Sequence, residues 1–113
     1  MKYNVFITDY FSKKIRSYTR KYRRIFADCK DFITVLENNP QTGDKLKGCI
    51  GPVFKARLAS RDMNKGKSGG FRVIYLVREN DHSVFLLTLY PKNEQANICV
   101  NQVNGILKQT GFA

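Results

Sequence analysis

Lys55 and Arg57 stand two residues apart in the run Val53 to Ser60, where Phe54, Ala56 and Leu58 alternate with them. In an extended strand that spacing puts both cations on one face, about 7 Å apart, a separation that suits successive phosphates of single-stranded RNA. An ordinary solvated strand face mixes signs and includes Glu, Thr or Ser; this one does not. Arg72 sits between Phe71 and Val73 in a run that is otherwise apolar to Val77. A guanidinium held at the start of a rigid strand grips a phosphate through a fork of donors. The alternative for Arg72 is an ion pair with Asp62, Glu94 or the C-terminal carboxylate. A third group follows in Leu89 to Glu94. There Tyr90 has the ring to stack a base or to pack in the core, and Lys92 has the charge to meet a phosphate. Glu94 is the nearby carboxylate, able to accept a proton or to stabilise a helix N-terminus.

Other chemistries find little support. His82 is the only histidine and falls in a turn, so a two-histidine ribonuclease mechanism is excluded. No cluster of Asp, Glu and His proposes a metal. Cys29, Cys49 and Cys99 are odd in number, far apart and in no Cys-x-x-Cys spacing, so they read as reduced thiols, Cys29 packed in a helix. Gly66-Lys67-Ser68 is not a phosphate-binding P-loop, because Arg61 stands where the first glycine belongs and a strand pattern follows. Lys65 and Lys67 read instead as a basic loop beside a nucleic acid.

These residues need elements to hold them. Tyr3 to Thr8 reads as a first strand, and Phe11, Ile15 and Tyr18 fall on one face of a basic helix. A second helical pattern runs from Tyr22 to Leu36 and stops before Pro40, which disfavours helix in the residue preceding it. Whether the two are separate helices or one bent rod stays open. Gly43, Gly48, Gly51 and Pro52 punctuate a loop. Strands then follow at Val53 to Ser60, Phe71 to Arg78 and Val84 to Tyr90, the last ended by Pro91. Ile98, Val103, Ile106 and Leu107 support a short last helix with Gly111 at its exit. The order predicts a single α+β domain over residues 1–113: a mainly antiparallel sheet with two N-terminal helices and a short C-terminal helix. One face of the sheet is expected to lie under helices, leaving the other free to display Lys55, Arg57 and Arg72.

Charge names the class of partner. Of 113 residues, 20 are Lys or Arg and nine are Asp or Glu, a net charge of +11. Eight cations lie between Tyr10 and Lys30, including Lys13, Lys14, Arg16 and Arg20, against the single acid Asp28. Such a chain seeks a polyanion or an acidic polypeptide. The longest apolar stretch is the five residues Val73 to Val77, too short to span a bilayer, and the N-terminus does not read as a targeting peptide. No membrane role and a cytoplasmic location are expected.

In this order and spacing, four stretches resemble the RelE/HigB superfamily of toxins from type II toxin–antitoxin modules, nearest to its HigB-like branch. They are Asn39-Pro40 with Gly43 to Leu46, Phe54 to Ser60, Gly66 to Tyr75, and Leu86 to Glu94. The resemblance implies a small RelE-like domain that enters the ribosomal A site and cuts mRNA there. It also implies a cognate HigA-like, helix-turn-helix antitoxin. By the same resemblance Lys55, Arg57 and Arg72 match the family's catalytic cations, and the basic residue after the last strand falls on Lys92, or on Asn93 if the register moves by one. The implied chemistry is attack of the RNA 2′-hydroxyl on the adjacent phosphate, with no metal or cofactor. Lys13, Lys14, Arg16, Arg20, Lys65, Lys67, Tyr90 and Asn93 are the expected RNA contacts. Well-studied relatives carry an arginine at the Asn93 position and a tyrosine near Cys99, and HigB-like members also lack the tyrosine. Two other readings remain: a basic RNA- or ribosome-binding module without chemistry, and a superfamily relative that poisons DNA gyrase.

Overall fold

The computed structural model describes residues 2–63 and 69–112. Strand β1 (Asn4–Ile7) leads into helix α1 (Asp9–Tyr18), started by Thr8, whose hydroxyl accepts from the Phe11 amide at 3.2 Å. That hydroxyl also donates to the Leu86 carbonyl at 2.7 Å, fixing the helix start to the sheet. Helix α2 (Ile25–Asn38) is separate from α1. Four further strands follow, β2 (Asp44–Lys45), β3 (Val53–Leu58), β4 (Phe71–Arg78) and β5 (Ser83–Pro91), and the last helix is α3 (Val100–Gln109).

The strands form one sheet in the order β1-β5-β4-β3-β2. Pairing is antiparallel except between β1 and β5. The expected α+β architecture stands, with two corrections. The glycine-punctuated loop contains β2, an edge strand of two residues that is too short to leave an alternating pattern. It pairs with β3 because Gly43 has no side chain: a Cβ there would come within 2.5 Å of the Lys55 carbonyl oxygen.

The second correction concerns the face expected to be open. Helices α1 and α2 cover one face, where Phe11, Ile15, Ile25 and Leu36 pack on Phe54, Leu58, Phe71, Val73, Tyr75 and Leu89. Helix α3 covers half of the other, with Val103, Ile106 and Leu107 against Val53, Ile74, Leu76 and Leu87. β4 and β5 are apolar on both sides, so a one-sided layer would have left Ile74, Leu76 and Leu87 in water at a cost of roughly 2 kcal/mol each. The uncovered remainder of that face is the end bearing Arg57 and Arg72.

Candidate RNA-binding site on the sheet

Alternation puts Val53, Lys55 and Arg57 on the α3 side of β3, and Arg72, Ile74 and Leu76 on the same side of β4. The register makes Arg57 and Arg72 direct cross-strand partners, and Arg72 and Tyr90 likewise. Residues paired in this way have Cβ atoms about 5 Å apart. Two arginines and a tyrosine thus form a row across three strands, with Lys55 two residues along from Arg57.

Two backbone features set this row. Gly70 takes φ +85°, and a Cβ on it would lie 2.5 Å from the Leu58 carbonyl oxygen. Only glycine lets the chain pass so close while starting β4 opposite the end of β3. The second is a bulge in β5. Tyr75 pairs with Leu86 and Ile74 with Thr88, leaving Leu87 as an extra residue. Leu86 faces α1 and α2, so strict alternation would send Tyr90 to that face as well. The bulge reverses the parity and brings Tyr90 to the side of Arg72.

Three carboxylates, Asp62, Asp28 and Asp31, are engaged with Arg24 and Arg61. Asp62 accepts from the Arg24 backbone at 2.8 Å and from its side chain at 3.1 Å. Those bonds and the Arg24 charge hold the Asp62 carboxyl below its ordinary range, burial opposing them. Buried Asp28 accepts from the Arg61 guanidinium at 2.7 Å, and Asp31 accepts from the same group. Arg72 is in no ion pair among the described residues; its guanidinium donates to the Phe71 carbonyl at 3.3 Å. Asp44 stands opposite Lys55 in the register, yet the Lys55 ammonium donates to Asn97 Oδ1 at 3.4 Å.

Tyr90 is 3% exposed and packs with Val103, Ile106 and Leu107. It is not the stacking platform expected from its position at a strand end, because α3 adds a core on this side. Burial raises its pKa, and the nearby Arg72 charge opposes that. Its hydroxyl is buried without a hydrogen-bond partner among the described residues. Lys92 and Asn93 are exposed in the turn after β5, where the Lys92 amide donates to the Gly70 carbonyl at 3.2 Å. Glu94 lies six residues before α3, whose first turn holds no acid, so it does not stabilise that helix.

The other expected contacts are not gathered here. Lys13, Lys14 and Arg16 are on α1 and Arg20 follows it, in the layer on the opposite side of the sheet. The Lys14 ammonium lies 5.4 Å from the centre of the Tyr18 ring. Lys65 and Lys67 lie outside the described residues. Cys29 is buried as expected, whereas Cys99 is exposed at the start of α3. Asn97 was not anticipated; its only signal is the amide-rich run Asn93, Gln95, Asn97 after the last strand.

A profile described as the RelE toxin of the RelE/RelB toxin–antitoxin system matches residues 4–111. Among solved structures, the chain is similar to a variant of the Escherichia coli toxin RelE in the free state, at TM-score 0.58 and 17% identity over 98% of this chain and 96% of that one. It is similar to the RelBE2 toxin–antitoxin complex of Mycobacterium tuberculosis, at TM-score 0.61 and 20% identity over 79% of this chain and 96% of that one. It is also similar to the archaeal RelE–RelB complex of Pyrococcus horikoshii, at TM-score 0.53 and 25% identity over 84% of this chain and 100% of that one.

Proposed function

Because the chain belongs to the RelE toxin family of type II toxin–antitoxin modules, whose members are ribosome-dependent mRNA endoribonucleases, we propose that it cuts mRNA in the ribosomal A site. The observation that carries this reading is the cross-strand row of Arg57 and Arg72 beside Lys55, on the half of the sheet face that α3 leaves uncovered.

RNA brings its own nucleophile. The 2′-oxygen attacks the adjacent phosphorus, the bond to the 5′-oxygen breaks, the 2′ proton leaves to a base and the departing oxygen gains a proton. Negative charge builds on the non-bridging oxygens as the fifth bond forms. Fixed cations aimed there stabilise that charge more than they stabilise the ground state. Arg57 and Arg72 hold the scissile phosphate, and Lys55 and Lys92 stabilise charge or relay protons. A lysine acts as the base only when neighbouring cations lower its pKa. Asn93, Lys65 and Lys67 contact the flanking RNA, while Lys13, Lys14, Arg16 and Arg20 grip ribosomal RNA from the helical side. No metal or cofactor enters. The products are a 2′,3′-cyclic phosphate and a 5′-hydroxyl.

Within the family the chain sits nearest the HigB-like branch, on the strength of the Gly66 to Tyr75 and Leu86 to Glu94 stretches and the absence of a tyrosine near Cys99. Its neutralising partner is then a HigA-like helix-turn-helix antitoxin, and its place of action the cytoplasm. Among the described residues no helix is long and apolar enough to cross a membrane. The direct test is purified protein added to ribosomes carrying a defined mRNA, with the RNA ends characterised. Cleavage that needs the ribosome and leaves a cyclic phosphate supports the reading. Ribosome binding with intact RNA would make the protein a binding module, and double-strand DNA breaks with intact mRNA would point to gyrase.

A further inference from the structure

Strand β1 forms one edge of the sheet, with β5 between it and the strands that carry Arg57 and Arg72. Its even residues face β5: the amides of Asn4 and Thr8 donate to the carbonyls of His82 at 2.8 Å and Leu86 at 3.3 Å. The odd residues Tyr3, Val5 and Ile7 therefore aim their amides and carbonyls away from the sheet. Tyr3 is already engaged, because its amide donates to the Glu37 carbonyl near the end of α2 at 2.9 Å. Val5 and Ile7 have no strand beside them.

An exposed edge is ordinarily blocked by a charge, a proline or a bulge. Asn4–Ile7 has none of these. The edge is also apolar on both faces. Phe6 stacks on Phe85 at 5.3 Å on the α3 side, and Phe85 meets Phe112 at 4.6 Å. Ile7 falls on the other side, in a groove that it shares with Ile15, Phe26 and Ile33 of α1 and α2. Six large apolar side chains are exposed among the described residues, and three of them lie here: Phe6 (47%), Ile7 (50%) and Phe26 (58%).

We infer that this edge pairs with the same edge of a second copy of the chain, in a two-fold dimer joined through antiparallel β1 strands. One register satisfies both outward residues. In it Val5 exchanges amide and carbonyl with the second copy's Ile7, and Ile7 does so with the second copy's Val5. Phe6 then faces the second copy's Phe6 across the two-fold axis with Cβ atoms about 5 Å apart, and the two aromatic stacks become one. A net charge of +11 opposes self-association, yet Asn4–Ile7 is uncharged, and the antiparallel order brings Lys2 of each copy toward Asp9 of the other. An acidic peptide finds its cations on α1 and none on β1. Covering Phe6, Ile7, Phe26 and the adjoining backbone removes on the order of 1,000 Å² over both copies, the lower limit of a specific interface, so the dimer is weak.

The test is sedimentation equilibrium of the full chain from about 5 to 500 µM, the range in which so small an interface forms. The protein is expected to pass from monomer to dimer. Amide hydrogen exchange at the two ends of that range should show Val5 and Ile7 slowed at least several-fold in the dimer, with Asn4 and Phe6, already bonded to β5, little changed. Phe6→Lys puts like charges across the axis and should abolish the dimer. Lys2→Glu, at an exposed position where folding is not at stake, should weaken it several-fold. Arg72→Ala should dimerise as the wild type does, since the interface is independent of the nuclease reading. A wild-type chain that stays monomeric throughout, or a dimer in which Val5 and Ile7 exchange as fast as in the monomer, would overturn the inference. So would protection of those two amides only when an acidic antitoxin is added, which would assign the edge to that partner.

Discussion

At the scale of single residues, Arg72 separates chemistry from support. It is half-buried, makes no ion pair among the described residues and donates only to a neighbouring carbonyl, so its removal breaks little. Arg72→Ala should lower cleavage by about 100-fold or more, the cost of losing one donor to a transition-state oxyanion. The unfolding temperature should move by only a few degrees. Arg72→Lys should restore only part of the rate, because an ammonium lacks the guanidinium fork. Single-turnover rates and thermal melts check all three. The thiols give a second prediction. Burial, with the Asp28 charge added, pushes the Cys29 thiol up to about 12, so little thiolate exists near neutral pH and the folded protein should resist alkylation there. Cys99 is exposed and should be labelled readily, which mass spectrometry of the alkylated protein would read. Because the Cys29 pKa is raised on folding from 9.0, its contribution to stability is complete below pH 9 and is lost as pH climbs toward 12. The strand cations were legible because alternation is a property of sequence. Tyr90 was not, since whether a strand-end ring is platform or core depends on what covers it.

At the scale of elements, the register carries the site. Gly70 starts β4 opposite Leu58, and that pairing makes Arg57 and Arg72 neighbours. Gly70→Ala should destabilise the fold by about 2 kcal/mol or more, from the left-handed backbone and the clash with the Leu58 carbonyl. It should also depress cleavage beyond what partial unfolding explains, measured on the folded fraction at low temperature. Strands β3, β4 and β5 and all three helices were readable from hydrophobic period and from Pro and Gly punctuation. The bulge at Leu87 was not, because Leu86, Leu87, Thr88 and Leu89 suit either face and only the pairing with Ile74 and Tyr75 decides. Strand β2 offered two charged residues and no alternation. The placement of α3 was hidden for a related reason: the apolar runs of β4 and β5 demand cover on both faces without saying which helix supplies it.

At the scale of the whole molecule, a charge of +11 is divided between two sides of one sheet. The row of Arg57 and Arg72 is small and local, whereas the α1 cations form a wider basic surface on the opposite layer. Lys13→Glu combined with Arg16→Glu should raise, several-fold, the ribosome concentration needed for half-maximal rate, and should affect kcat far less than Arg72→Ala does. Association should weaken steeply with added salt, as counterion release requires, while the step after binding responds less. The sign and clustering of the charge were plain in the sequence. Its division between two faces needed the fold, because helix and strand residues far apart in the chain fall on opposite layers.

The central claim is that fixed cations on one half-covered face of the sheet cut mRNA on the ribosome. It is tested most directly by inducing the protein in cells and mapping mRNA 5′ ends, in parallel with Arg57→Ala and Arg72→Ala at equal protein levels. The wild type should produce new 5′ ends within translated reading frames, and both variants should lose them. New ends that persist unchanged in both variants, or none in the wild type while translation stops, would contradict it.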